Sequence, residues 1–332
     1  MDIAIVLLNY NGEKLLNKFL PTLDKYSSYK SDIYVIDNNS TDNSIKYVKL
    51  NFPEIKCIPL DKNYGFAEGY NKGLTNIDAD VFCLLNTDIE VTENWLEPVH
   101  QVFLSNNNIS IAQPNILDYN QKNSFEYSGA AGGFIDSYGY TYCRGRIFDS
   151  LEEDLGQYND NKEIFWASGA CFFIRKNIWV SLGGFDNDFF AHFEEIDLCW
   201  RAFNQNLKIT SIGSSKVFHV GAATLPISGY KWYLNFRNSL ILLTKNVPSK
   251  FLFRILLIRL ILDFISALRF LLKGKLAPIL SIIRAHFVFY INYKSHYNKR
   301  VPILNENNYW STKSIVWSYF IKKNRVFSKI SK

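Results

Sequence analysis

Residues 33–42 read Ile33-Tyr34-Val35-Ile36-Asp37-Asn38-Asn39-Ser40-Thr41-Asp42. Four apolar, β-prone residues stop at a carboxylate, and the amides and hydroxyls that follow favour a turn and can cap a helix. The same order occurs on either side. Upstream, the apolar run from Ile3 to Leu8 closes on Asn9-Tyr10-Asn11-Gly12, and Leu15, Leu16, Phe19 and Leu23 then recur at helical spacing. Downstream, a helix through Ile45 and Val48 leads to a strand from Ile55 to Leu60. A helix from Phe66 to Leu74 then leads to a strand from Val81 to Leu85. Apolar strands separated by helices predict an α/β fold with a mostly parallel sheet covered on both faces. Ligands of such sheets bind beyond the carboxyl ends of the strands, so the polar residue after each strand is the one to inspect.

Further along, residues 115–165 are rich in Gly, Tyr and Asp and read as irregular loops. Strand character returns at 170–174 and near 208–212, with a helix between them from Glu194 to Phe203. Composition shifts after Pro248. Residues 251–272 are strongly apolar yet carry Arg254, Arg259, Asp263 and Arg269, and a second such stretch at 276–290 carries Arg284 and His286. A spanning helix needs roughly 20 mostly uncharged residues, so these stretches predict helices lying in a membrane interface, with basic side chains reaching toward headgroups. The competing reading packs them on the core or on a partner subunit. The expected division is a domain over 1–245 and a C-terminal helical, membrane-associating extension over 246–332.

The bulk properties agree with a globular chain. Its 332 residues are 48% apolar, with a net charge of +6. The five cysteines are odd in number, widely spaced and form no C-x-x-C pair, which argues against a disulfide framework or zinc site and suits a reducing compartment. The first apolar run is too short and lacks the basic flank of a signal peptide. Basic residues near the C-terminus are interleaved with Leu, Ile and Phe, a pattern that suits lipid rather than nucleic acid.

Three constellations can carry chemistry. Asp37 could accept from a nucleobase or ribose, though Asp-Asn-Asn-Ser is also a good turn. Asn86-Thr87-Asp88 follows a buried strand, and a carboxylate there can hold a hard divalent cation against diphosphate oxygens or simply cap a helix. Glu194, Glu195 and Asp197 lie within four positions and repel one another, which suits a general base; an acidic helix start is the plainer alternative. His219 is either a metal ligand or a satisfied core histidine.

Taken together, Asp37, Asn63-Tyr64-Gly65-Phe66-Ala67-Glu68-Gly69-Tyr70-Asn71-Lys72-Gly73, Asn86-Thr87-Asp88, Trp166-Ala167-Ser168-Gly169-Ala170, Gly183-Gly184-Phe185-Asp186, Glu194-Glu195, His219 and Arg237-Asn238 resemble the family-2 glycosyltransferases of GT-A fold. The resemblance is to their bacterial rhamnosyltransferase-like branch, which builds cell-surface polysaccharide such as O-antigen, and it covers most of residues 1–245. It implies a Rossmann-like GT-A domain and an inverting, metal-dependent hexosyltransferase using Mn²⁺ or Mg²⁺. The donor would be a nucleotide sugar, with dTDP-rhamnose suggested and UDP-hexoses or UDP-N-acetylhexosamines open; the acceptor would be a glycan or lipid-linked glycan. It implies that Asp37 binds base or ribose, that Asp88 and His219 hold the metal, and that Asn86 contacts ribose or a metal-bound water. Asn9, Asn63, Gly65, Asn71 and Arg237 would complete the donor site, while Trp166, Gly169 and Asp186 would line the sugar and acceptor pocket. Glu195 stands where the family usually has the Asp of a Glu-Asp pair, the catalytic base, and Glu194 or Asp197 could share the task. The cysteine pattern and the C-terminal stretches lead to the expectation of a cytoplasmic protein, peripheral on the inner face of the plasma membrane, with homo-oligomerisation through the C-terminal helices open. A nucleotidyltransferase fits poorly, because the turn after the first strand is not a Gly-rich loop bearing Arg or Lys. A binding scaffold that has lost catalysis rests only on Glu195 replacing Asp.

Overall fold

The computed structural model of the chain describes residues 1–27, 31–221, 229–305 and 307–330. Its first half runs β1 (Ile3–Asn9), α1 (Glu13–Tyr26), β2 (Ser31–Asp37), α2 (Ser44–Asn51), β3 (Lys56–Pro59), α3 (Gly65–Leu74), β4 (Val81–Leu85), β5 (Ile89–Val91), α4 (Glu97–Ser105) and β6 (Ile109–Asp118). Short strands follow: β7 (Gly133–Ile135), β8 (Thr141–Cys143), β9 (Arg146–Ile147), β10 (Ser150–Leu151) and β11 (Asn161–Glu163). Then come β12 (Cys171–Arg175), α5 (Lys176–Leu182), α6 (Glu194–Asn204), β13 (Lys208–His219) and α7 (Gly229–Asn246). The chain finishes with α8 (Ser249–Leu272), α9 (Leu276–Ile291), α10 (Tyr293–Asn298) and α11 (Ile315–Phe320).

The main sheet has the order β11-β13-β6-β12-β4-β1-β2-β3, with β5 added on β13. Strands β4, β1, β2 and β3 are parallel, β13 is parallel to β6, and β12 runs antiparallel between β4 and β6. Alternation along β1 divides the core. Ile3, Ile5 and Leu7 face Leu16, Leu20 and Leu23 of α1 with Val99 and Phe103 of α4. Ala4 and Val6 face the layer that holds Tyr70, Trp179, Trp200 and Leu242. A side chain at Gly73 would stand 2.1 Å from Ile36 Cδ1, so glycine lets α3 approach β2.

Residues 115–165 depart from the expected loops. β7–β10 form a separate four-stranded antiparallel sheet beside the main one. Strands of two or three residues are too short to leave a periodic signal, which is why the sequence did not reveal them.

The C-terminal stretches are helical as expected, but their polarity is corrected. Arg259 and Asp263 are buried, facing the body rather than lipid. Arg259 Nη2 donates to Ser239 Oγ at 2.9 Å and lies over the Tyr140 ring, while Asp263 Oδ2 is 3.0 Å from His286 Nε2 on α9. Buried charges need partners, and the body supplies them. After α10 the chain returns across the small sheet. Leu304 N–H donates to Asn204 O, Ile315 N–H donates to Asp136 Oδ2, and Tyr309 Oη donates to Ser137 O. Residues 246–330 thus comprise a helical hairpin and a strap fastened to the body.

Candidate active site

Asn9 and Asp37 are register partners at the carboxyl edge of β1 and β2. Asp37 Oδ1 accepts from Ser40 N–H at 3.1 Å, which bends the chain out of the strand. Asn9 sits beneath this turn, its Nδ2 donating to Ser40 Oγ and Ser44 Oγ. Its role is to shape the turn, although its buried Oδ1 has no hydrogen-bond partner among the described residues. Asn38 was not singled out from sequence, yet it ties two loops together. Its Nδ2 donates to Asn63 Oδ1 and Gly65 O, and its Oδ1 accepts from Tyr64 N–H. Asn63 and Gly65 are therefore held as a preformed loop beside Asp37, and Gly65 has a φ of 75° that favours glycine.

On the neighbouring strand, Asn86 N–H donates to Ala170 O as the chain leaves β4. The short β5 then turns back to pair with the end of β13, with Ile89 opposite His219. This brings buried Asp88 and His219 together, Oδ1 and Nε2 being 3.2 Å apart. Asn86 Nδ2 is 3.5 Å from the same ring nitrogen. On the other side of the ring, His219 Nδ1 lies 3.4 Å from Glu126 Oε2. Glu126 was missed in the sequence: it stands in the loop-like stretch after β6, with no motif to mark it. Burial works against a charged imidazole, but the two carboxylates outweigh it and hold the His219 pKa up at about 10.

These residues fit a divalent cation held by few protein ligands. Two donor atoms about 3 Å apart can share a cation with bonds of about 2.1 Å at right angles. Among the described residues no group of three His, Cys, Asp or Glu side chains converges on one point. Asp88 and His219 are then the residues that would hold the ion, leaving other positions for diphosphate and water.

Glu194 and Glu195 begin α6 just across Gly169 from this turn. A Cβ placed on Gly169 would lie 3.8 Å from the Glu195 side chain. Each glutamate has one carboxyl oxygen buried without a hydrogen-bond partner among the described residues. Burial pushes both carboxyls above the usual range. The neighbouring Glu195 charge adds to the rise on Glu194, while nearby backbone N–H groups oppose the rise on Glu195. Asp197 belongs to different surroundings, and its assignment as a sharer of the base role is corrected. Arg201, Lys245 and Asn246 occupy its oxygens. Burial alone would raise its pKa, but the two cations override it and hold it at about 2.

The loop before Glu194 is strained and heavily tied. Phe190, His192 and Phe193 all have positive φ, costing of order 1–3 kcal/mol each. Asn238 on α7 compensates: its Nδ2 donates to Phe189 O, Ala191 O and His192 O within 3.0 Å. Arg237 beside it donates from Nη2 to Asp188 O at 2.7 Å, so it clamps this loop instead of reaching into the donor site. Asn71 likewise grips the loop, pairing with both backbone groups of Phe185. Asp186 is bound by Lys245 and Lys299. Trp166 is buried against Gly133 with Nε1 donating to Phe134 O, so it belongs to the core rather than to the pocket lining. Asn71, Trp166, Asp186 and Arg237 therefore support the site from behind.

The family model for Glycosyl transferase family 2 matches residues 4–180. The low-salt glycan biosynthesis hexosyltransferase Agl10 of Haloferax volcanii is 25% identical over 260 residues, covering 76% of this chain and 79% of its own length. The dTDP-rhamnosyl transferase RfbF of Shigella flexneri is 22% identical over 261 residues, covering 74% and 81%. Among solved structures, GalNAc-T7 with UDP, GalNAc and Mn²⁺ superposes with a TM-score of 0.54 at 16% identity, over 70% of this chain and 48% of that one. The matched residues 4–180 contain Asp37, Asn86 and Asp88, and the chain belongs to glycosyl transferase family 2.

Proposed function

We propose that this glycosyltransferase is an inverting, metal-assisted enzyme that moves rhamnose from dTDP-rhamnose onto a hydroxyl of a glycan or lipid-linked glycan in cell-surface polysaccharide synthesis. The observation that carries the proposal is the meeting, at one edge of the sheet, of Asp37, the Asp88–His219 pair and the partner-poor carboxyls of Glu194 and Glu195. The rhamnosyl choice draws on the RfbF likeness. A UDP-hexose or UDP-N-acetylhexosamine donor is the second reading, favoured by the fold likeness to GalNAc-T7 with UDP. The protein works in the cytoplasm, peripheral on the inner face of the plasma membrane.

In the proposed reaction Asp37 accepts from the base or ribose of the donor, and the Asn38-fixed loop shapes the cleft around it. A bound Mn²⁺ or Mg²⁺ would neutralise charge building on the departing diphosphate. Glu195 takes the proton of the acceptor hydroxyl; its pKa, raised by burial, makes it a stronger base than a solvated carboxylate. The oxygen forms its bond to the anomeric carbon while the bond to diphosphate breaks on the opposite face. The electron pair leaves on the diphosphate and the centre inverts.

The test is donor hydrolysis and binding by purified protein across dTDP- and UDP-sugars, with and without Mn²⁺ or Mg²⁺. Selectivity for dTDP-rhamnose supports the first reading, and selectivity for a UDP-sugar selects the second. Folded protein that binds none would leave a scaffold.

A further inference from the structure

The helices α8 and α9 are inverted relative to an ordinary surface hairpin. Their charged pair, Arg259 and Asp263, is enclosed with His286 between the hairpin and the body. Their outer face is apolar. On α8, Phe253, Leu257, Ile261 and Phe264 follow one another at spacings of three or four and are exposed. On α9, Leu280, Ile283 and Phe287 do the same, and Leu272 at the tip is 90% exposed. Contiguous apolar patches of this kind mark interaction sites on soluble proteins.

Charge selects the occupant. Between residues 249 and 298 the acidic side chain is Asp263, and it is buried. Seven basic side chains in the same span are exposed: Lys250, Arg254, Arg269, Lys273, Lys275, Arg284 and Lys294. Lys273 and Lys275 occupy the turn between the helices and the other five stand along α8, α9 and α10, Arg269 over the Phe320 ring and Arg284 over the Tyr233 ring. A two-fold contact with a second copy would bring two sets of basic side chains together. An anionic bilayer matches both parts of the surface, with acyl chains for the apolar face and headgroups for the basic side chains. No helix among the described residues is long and apolar enough to cross a membrane, so the fit is to a hairpin lying in the interface.

We propose that the outer face of the α8–α9 hairpin is a docking surface for anionic phospholipid, embedded to about the depth of one side-chain layer. This deepens the peripheral-membrane reading above, on which it rests, and identifies the surface and the lipid class. The hairpin is not a loose tether. Ser281 on α9 bonds to the first residue of α7, and α7 carries Asn238, which holds the loop before Glu194. Docking therefore sets the orientation of the catalytic edge relative to the bilayer.

The experiment is flotation of the full chain with phosphatidylcholine vesicles, pure or containing phosphatidylglycerol, at low and high salt. Light scattering and donor hydrolysis are measured on the same preparations. Binding to the anionic vesicles is expected to fall at least tenfold with pure phosphatidylcholine, and again in the double variant Phe253→Asn, Phe287→Asn. Donor hydrolysis and thermal stability should be unchanged in that variant, because both side chains are exposed and far in sequence from the site. Absence of vesicle binding, or binding that the double variant leaves intact, overturns the proposal. So does a stable dimer that the double variant dissociates while vesicle binding persists. Failure of donor hydrolysis alone would sink the transferase mechanism and leave the docking surface standing.

Discussion

The first turn of α6 holds carboxylates under opposite regimes. Glu194 and Glu195 each have one buried oxygen that finds no hydrogen-bond partner among the described residues, and burial raises them. Asp197 is fully buried, but Lys245 and Arg201 lie within 2.8 Å and hold it low. Three acids on one short helix thus divide into a pair poised to exchange protons and one fixed as an anion. What decides the division is the company each keeps, and that company comes from α7. Lys245 anchors Asp197, while Asn238 two turns earlier holds the preceding loop, from which Glu195 faces Gly169.

The sharpest way to break this comparison is Glu195→Gln. Transfer should fall by about 10²–10⁴-fold in single-turnover assays, as expected for loss of a general base, with donor affinity retained; near-normal turnover would transfer the role to Glu194. Asp197→Asn should act on the fold instead. Arg201 loses its buried anion and Lys245 keeps only Asp186, a loss of up to about 3–5 kcal/mol, read as a lower denaturation midpoint. Asn238→Ala comes next. It releases three carbonyls over a strained loop and should lower kcat about tenfold with a smaller effect on donor KM. Glu195 should then titrate differently in the pH–rate profile, a change that simple destabilisation would not cause.

The smallest effect is the most discriminating. The glutamates have folded pKa values above the ordinary 4.5, so their contribution to stability is complete below that value and is lost as pH rises through the folded pKa. Asp197 behaves in the opposite sense. Its contribution is present above the ordinary 3.8 and is lost as pH falls toward about 2, amounting to about 2 kcal/mol. Melting temperature against pH should therefore lose part of its neutral-side decline in Glu195→Gln and part of its acid-side decline in Asp197→Asn. Identical profiles for the two variants would dissolve the distinction.

Much of this was legible in the chain because strands in a parallel sheet announce themselves as apolar runs, and the residue after each run lies at the binding edge. Asp37, Asn86 and Asp88 were found that way. What escaped depended on partners far along the chain. Asp197 looked like its neighbours because Lys245 lies 48 residues on, and Arg237 was expected at the donor site because its hold on Asp188 O and Phe189 O has no sequence signature. Glu126 had no motif to mark it. Arg259 and Asp263 recurred on one side of a helix as expected, but periodicity gives a face without saying whether that face turns inward. The partners Ser239, Tyr140 and His286 decided it.

Four asparagines hold the loops around the candidate site. Asn9 joins the first strand to the turn near Ser40, Asn38 joins that turn to residues 63–65, Asn71 reaches Phe185 and Asn187, and Asn238 reaches back to residues 189–192. A carboxamide donates and accepts at once and carries no titratable proton. These four ties are thus indifferent to acidity, whereas the working groups are not. In chemical terms the molecule separates frame from reagent: across the neutral range the same loop arrangement persists while the protons on the working groups come and go.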